Sequence, residues 1–377
     1  MSKEISTPQI TSTKPNAFQR AIDAIGADNL SLMFALVVLI LLITIASGWF
    51  GLQGGSMFFT WQNLMNSLAQ AIVVVGLLAV GETVVIIAGA LDISVGSVSS
   101  IGSVVAASVL IGVGTVGASH ILPTGSVVVA VAAGIVAGMI AGVINGFIVT
   151  ALKVNPIIAT LGTLAAFAGF AFLLAPGGKP IGVFTQPNFT WLAQGRLLMH
   201  WAIPALDKSK WTGIPVLTVI LVIVAVLVHI VMRYTDFGRA IYAIGGNATA
   251  ARLAGINISR VRVLMYVLSG GIAGLAGVLL ASRTTSGDPI NGVGLELQAI
   301  TAVFLGGAAT AGGKGTIFGT FIAVILVGVL NNGMNLLGFN TYIQQVALGF
   351  LLIAAVAISQ WRQGRAESVR TRVDAKG

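Results

Sequence analysis

Cysteine is absent from the 377 residues, which excludes disulfides and thiolate metal sites. Charge is nearly as scarce. Asp, Glu, Lys and Arg together make up 8% of the chain, where soluble domains carry about 25%. None of them occurs between Asp28 and Glu82, between Asp92 and Lys153, or between Lys314 and Arg362. Each gap has room for at least two membrane spans of roughly 20 residues. A soluble chain would expose part of such stretches and need charge there. The three histidines, His120, His200 and His229, are scattered without metal-ligand spacing. No Ser/His/Asp set or carboxylate pair can be assembled, so no catalytic residue and no metal site is expected, and the chain does not read as an enzyme. A cleavable signal peptide is not expected either. The first 28 residues are polar and mixed in charge, and the apolar run 30–48 lacks a small-residue cleavage pattern behind it.

What is there is hydrophobic and basic: 56% of residues are hydrophobic and the formal net charge is +9. That charge could suit a nucleic-acid partner, but the basic residues stand at the ends of apolar runs rather than along one polar face, so no nucleic-acid partner is expected and membrane lipid is. The expected fold class is all-α, a polytopic transmembrane helix bundle of about ten spans with broken Gly-rich segments. The spans fall near 30–48, 68–88, 94–112, 127–150, 156–175, 213–232, 263–282, 293–311, 316–336 and 342–360. The third contains six serines and the eighth begins beside Glu296, so both are candidates for partial or broken helices. This divides the chain into an N-terminal tail (1–29), a membrane domain (30–361) with its largest loop at 233–262, and a basic tail (362–377).

Ten spans place both termini on one side. On that side lie Lys3, Lys14, Arg20, Lys153, Arg233, Arg239, Arg252, Arg260, Arg262, Lys314, Arg362, Arg365, Arg370, Arg372 and Lys376. Only Lys179, Arg196, Lys208, Lys210 and Arg283 lie opposite. The positive-inside bias therefore puts both termini in the cytoplasm. The long outer segment 176–212, with Pro180, Pro187, Trp191, Trp201 and Pro204, reads as a lid or docking surface.

Gly134, Gly138, Gly142 and Gly146 recur every four residues on one span, a smooth stripe for close helix packing. Gly270 with Gly274, and Gly315 with Gly319, repeat the theme. Two Gly-rich breaks, 89–98 and 306–316, each separate a pair of apolar spans, and such interrupted pairs point to a transport path. Two nucleotide-like motifs fail on inspection. Gly112–Gly117 has the G-x-G-x-x-G spacing but no strand context, and reads as a turn. Gly313-Lys314 resembles the end of a phosphate loop, yet Ala308 replaces its first glycine and Gly315 stands where Ser or Thr should bind magnesium.

The loop 233–262 contains ATAARLAG, which reads as a short helix, with Gly245-Gly246-Asn247 as a turn before it. Two readings fit. A membrane subunit driven by a separate ATPase needs a short helix with small residues and a cation to seat in that ATPase; a solvated connector with ordinary positive-inside charge has the same composition.

Here family resemblance enters. ALDISVGS (90–97), NPIIATLGT (155–163), GRAIYAIGGNATAARLAGI (238–256), LSGGIAGLAGVLLASR (268–283), LGGAATAGGKGTIFGT (305–320) and LNNGMNLLG (330–338) closely resemble, in this order, the permease subunit of bacterial ribose-type ABC importers. The resemblance covers about residues 30–360. It implies a homo- or heterodimer of permeases, a cytoplasmic ABC ATPase dimer that binds the ATP and Mg, a periplasmic sugar-binding protein, and a place in the bacterial inner membrane. No cofactor on this chain is implied. It also implies that 238–256 contacts the ATPase, which gives a coupling role to Gly238, Arg239, Gly245, Gly246, Asn247, Ala251, Arg252, Leu253 and Gly255. The function expected is import of a monosaccharide such as a ribose-like pentose. The alternative is an ion-coupled secondary transporter of small polar solutes, for which Glu82 is the sole good acidic candidate.

Sugar hydroxyls want amide and hydroxyl partners with aromatic faces nearby. The candidates for the solute path are Asn66, Gln70, Glu82, Thr160, Thr163, Phe167, Asn332, Gln344 and Gln345. An intramembrane acid costs at least roughly 2.5–3.5 kcal/mol, so Glu82 either polarises that path or pairs with a polar neighbour. Asp92 is expected to cap the helix that starts near Ser94. On the outer side, Lys179, Arg196, Arg283 and Asp288 are candidates for docking a binding protein, with solvated loop charge as the plainer reading.

Overall fold

The computed structural model describes residues 27–49, 58–112, 124–184, 186–198 and 213–374. Residues 1–26 of the expected tail 1–29, most of the Gly112–Gly117 motif, His120, His200, Trp201, Pro204, Lys208 and Lys210 lie outside the described residues. Apolar runs with no water to satisfy their backbone must close their hydrogen bonds within the segment, which is why they are helical. In chain order the helices are α1 (Ala27–Trp49), a π-helical turn (Gln62–Leu68) running straight into α2 (Ala69–Ile87), α3 (Val95–Ile111), α4 (Thr124–Thr150), α5 (Pro156–Leu174), α6 (Pro187–Gln194), α7 (Val216–Tyr234), α8 (Asp236–Gly246), α9 (Ala248–Leu253), α10 (Ile258–Thr284), α11 (Leu295–Leu305), α12 (Ile317–Leu336) and α13 (Thr341–Asp374). Among the described residues, four two-residue strands form two small antiparallel pairs: Ile181–Gly182 with Ser286–Gly287, and Arg196–Leu197 with Ile214–Pro215.

Among the described residues, seven helical segments are long and apolar enough to cross a membrane, and three shorter apolar helices, α3, α11 and the first part of α13, fall at the remaining expected spans. The eighth expected span, a candidate for a partial helix, is a half-helix. At 11 residues α11 reaches only about 16 Å against a hydrocarbon core of about 30 Å. It stops because Gly307, Gly312, Gly313 and Gly315 all take positive φ, which helix continuation forbids. The second expected span begins earlier than 68, through the π-turn, and α13 carries on to Asp374 instead of ending near 360.

The centre of the bundle is α10 against α3 and α4. The glycine stripe does what its spacing predicts. A Cβ on Gly138 would stand 2.1 Å from the Gly270 carbonyl oxygen, one on Gly142 2.2 Å from that of Tyr266, and one on Gly134 2.4 Å from a Val278 methyl. Backbone therefore packs on backbone. On α3, Gly102 meets Gly274, and Gly277 of α10 would press its Cβ to 1.9 Å from the Ser99 oxygen. At one end of this core α6 is tied down by Ser282, whose hydroxyl donates to the Phe189 carbonyl (2.7 Å) and accepts from the Ala193 N–H (3.1 Å).

The loop 233–262 differs from expectation. Gly245 and Gly246 are the last turn of α8, not a turn of their own, and only Asn247 breaks the chain before α9. The loop also ends sooner, since α10 begins at Ile258.

Candidate functional site

Three polar regions stand apart in the bundle. The first lies at the end that carries α8 and α9. Glu82, in the last turns of α2, is fully buried, and its Oε1 accepts the Asp92 N–H at 2.9 Å. Asp92 in turn accepts from the Ser94 N–H (3.0 Å), the Ser94 hydroxyl (2.6 Å) and the Asn145 amide (3.3 Å). The Asn145 amide also donates to Ser94 Oγ at 2.8 Å. Asp92 thus shapes the start of α3 through Ser94 rather than by standing at the cap itself, and Glu82 pairs with a polar neighbour, the packing reading of the two. Thr160 of α5 closes this cluster, sharing its hydroxyl with the Pro156 (2.9 Å) and Leu91 (3.3 Å) carbonyls. Thr163 and Phe167 follow on the same helix and are buried. Glu82 Oε2, Asn145 Oδ1, the Tyr266 hydroxyl and Ser269 Oγ are buried there without a protein partner.

The second region lies at the far end, around the π-turn. Its extra residue per turn swings Asn63 onto α12, where Asn63 and Asn332 exchange amide hydrogen bonds of 3.0 and 2.8 Å. π-turns of this kind recur at functional sites. Asn66 lies one turn on, with a buried Oδ1 that has no protein partner. The Gln70 carbonyl accepts from Arg283 Nη1 at 3.3 Å, so a path candidate and a docking candidate meet. Gln344 reaches Asn335 Oδ1 at 2.7 Å, while Gln345 points away and is exposed. Asp288 holds its own turn by accepting the Ile290 N–H (3.0 Å), Lys179 is exposed, and Arg196 is half-buried, with burial lowering its guanidinium from the usual value. The path candidates are therefore split between the two ends. The amide pair gives a clear expectation: Asn332→Leu strands buried Asn63 and should cost about 1–3 kcal/mol, whereas adding Asn63→Leu should recover much of it. Thermal unfolding of the purified single and double variants checks this.

The third region is the surface of α8 and α9. Three side-chain caps follow one another: Thr235 Oγ1 accepts the Gly238 N–H (3.3 Å), Asn247 Oδ1 accepts that of Ala250 (3.0 Å) and Asn257 Oδ1 accepts that of Arg260 (3.0 Å). Asp236 and Arg239 form an exposed ion pair, of little energetic weight. Gly238 lets α8 turn back on Met232, whose carbonyl oxygen a Cβ would approach to 2.2 Å. On α9, Ala251 is buried against Ile244 and Ile258, while Arg252 is exposed and Leu253 is 85% exposed. Gly255 has φ +86° and turns the chain towards α10. Burial raises the Tyr242 phenol above its usual range, with Arg233 pulling the other way. It therefore stays a neutral donor to the Gly315 carbonyl at 2.8 Å.

Asn145, Asn63, Tyr266 and Ser269 carry no role in the sequence reading, and Ser94 marks only a helix start there. A signal existed for Asn145, the lone polar side chain between residues 127 and 149; polar groups at such depth are costly and face the interior.

Residues 63–356 match the profile of a family described as branched-chain amino acid transport system / permease component. The chain is 38% identical over 298 residues to the ribose import permease protein RbsC of Bacillus subtilis (strain 168), covering 79% of this chain and 84% of that one. It is 36% identical over 306 residues to the L-arabinose transport system permease protein AraH of Escherichia coli (strain K12), covering 81% and 85%. It is likewise 36% identical over 299 residues to the probable ABC transporter permease protein YphD of the same strain, covering 79% and 82%.

Proposed function

This chain belongs to the family of permease components just described, and from that premise we propose that it is the membrane subunit of an ATP-driven importer of a monosaccharide, a ribose-like pentose or a related sugar. Its relatives that carry ribose and arabinose in their names support the solute class. The positive-inside bias supports a bacterial inner membrane with both termini cytoplasmic. In this reading the α8–α9 end faces the cytoplasm, where an ABC ATPase dimer binds ATP and Mg. The far end, with Lys179, Arg196, Arg283 and Asp288, receives a periplasmic sugar-binding protein. A second permease, identical or similar, completes the path.

The observation that carries the proposal is α9. A leucine 85% exposed on a six-residue helix loses apolar area to water and gains nothing within this chain. Yet its Asn247 cap and buried Ala251 hold the helix in one place, between α8 and α10, which Thr235 and Asn257 cap in turn. A rigid small-residue ridge with an apolar tip beside a cation is the shape that seats in a partner's groove. Solute passes between the Asn63–Asn332 end and the Glu82–Asp92 end, with Asn66, Gln70, Gln344 and Gln345 near the outer mouth. Thr160, Thr163 and Phe167 then flank the inner half.

Arg252→Glu combined with Leu253→Glu should lower co-purification of the ATPase at least about tenfold, as loss of an interface anchor does. If that variant still assembles and still hydrolyses ATP in response to the loaded binding protein, the assignment of α9 is wrong. Uptake that survives ATP depletion but collapses with an ion gradient would favour the secondary transporter.

A further inference from the structure

Three stretches distant in sequence meet at one point beneath α8. The last helical carbonyl of α2, that of Ile87, accepts the Gly313 N–H at 2.8 Å. Gly245 lies on the same carbonyl: a Cβ there would stand 1.8 Å from the Ile87 oxygen and 2.5 Å from the Gly313 nitrogen. Gly312 closes the third side, where a Cβ would meet Gly89 Cα at 2.7 Å. A Cβ on Gly313 would meet Gly246 Cα at 2.9 Å. The Tyr242 hydroxyl adds a hydrogen bond to the Gly315 carbonyl at 2.8 Å. The break 88–94 and the break 306–316 are therefore joined to each other and to α8 by backbone, with no side chain between.

We propose that this glycine joint is the mechanical link of the importer, carrying displacement of α8–α9 to α2, α3 and α12 at once, with Gly245 and Tyr242 as its positioning residues. The inference rests on the proposed function, because it needs a partner that moves α9. A contact between backbones has no rotatable side chain to absorb motion, and close-packed interiors transmit strain. Gly89, Gly312, Gly313 and Gly315 have positive φ, so both breaks bend at residues without a side chain to resist. The load then divides. Ile87 ends the helix that holds Glu82, whose carboxylate grips the Asp92 N–H ahead of α3. Gly315 precedes Thr316, which caps α12 by accepting the Gly319 N–H at 2.9 Å. Motion at one surface helix thus reaches three spans without passing along the connections to α7 or α10.

The test is the amount of labelled pentose imported per ATP hydrolysed, in the reconstituted complex of the full chain with its ATPase and binding protein. Gly245→Ala forces α8 off Ile87, and Tyr242→Phe removes one hydrogen bond without adding an atom. Import per ATP is expected to fall at least about tenfold for the first and several-fold for the second, within the usual range of coupling between sites, in the fraction of complex that retains its ATPase. A merely structural role would lower import and hydrolysis in proportion and leave their ratio unchanged, and that result overturns the inference. Should Gly245→Ala fail to fold, Tyr242→Phe decides alone. If the unmodified chain does not assemble with the ATPase, the proposed function falls; if it does and the ratio stays constant in the variants, only the joint falls.

Discussion

Gly138→Val is expected to prevent a stable bundle from forming. The first added carbon would stand 2.1 Å from the Gly270 carbonyl oxygen and 2.9 Å from Gly274 Cα, against an ordinary contact of about 3.5 Å or more. Both obstacles are backbone, so no rotamer change relieves them and α4 must move away from α10. That motion unzips the neighbours, because one turn to either side a Cβ on Gly142 would stand 2.2 Å from the Tyr266 carbonyl oxygen and one on Gly134 2.4 Å from a Val278 methyl. Overpacking of a core costs about 1–3 kcal/mol and occasionally more; rigid obstacles and a shared interface place this case above about 3 kcal/mol. The thermal midpoint and monodispersity of the detergent-purified variant measure the effect. Gly162→Val is the control, since a Cβ there meets nothing within 4 Å. Equal behaviour of the two variants would remove the packing argument.

Asp92→Ala is expected to have the next largest effect. It deletes the acceptor of the Ser94 N–H, the Ser94 hydroxyl and the Asn145 amide, all buried. Each buried donor left unpaired costs about 1–3 kcal/mol. Three such donors total about 3–9 kcal/mol, and because the Asn145 amide keeps its other bond, to Ser94 Oγ, the effect falls towards the lower end of that range. Import should be lost with it, because the start of α3 loses its anchor. Asp92→Asn keeps one carbonyl oxygen for Ser94 and should be milder. Glu82→Gln keeps the acceptor for the Asp92 N–H and should be milder still, whereas Glu82→Leu strands that N–H. The predicted order of unfolding midpoints, Glu82→Gln above Asp92→Asn above Asp92→Ala, is open to direct measurement. An unaltered midpoint in Asp92→Ala would contradict the network.

Much of this was legible beforehand because it depends on composition and period. A backbone in lipid has few options, so charge-free runs announce helices. A glycine every fourth residue can only draw a stripe down one face. Even the two doubtful spans were legible, since six serines and an adjacent Glu296 mark segments poorly suited to cross alone, and α3 and α11 are two of the three short apolar stretches among the described residues.

The site was less legible. Glu82 and Asp92 were visible as acids beside a span end, but not that one carboxylate holds the other residue's N–H. Gly245-Gly246 looked like a turn, as glycine pairs often are. In the structure Gly245 is helical, and the lack of a side chain serves a close approach from 68 positions away, at Gly313. Nor could the residues chosen for sugar chemistry reveal which end of the bundle they occupied.

The chain by itself determined that it spans a membrane as helices, which helix faces are smooth enough to touch, and where the helices must break. These follow from local backbone demands and from residue spacing, which are properties of neighbours in sequence. Tertiary structure alone decided which break meets which, that α8 rests on both, and which polar atoms find partners. Those outcomes depend on the docking of segments hundreds of residues apart, and no local preference encodes that docking.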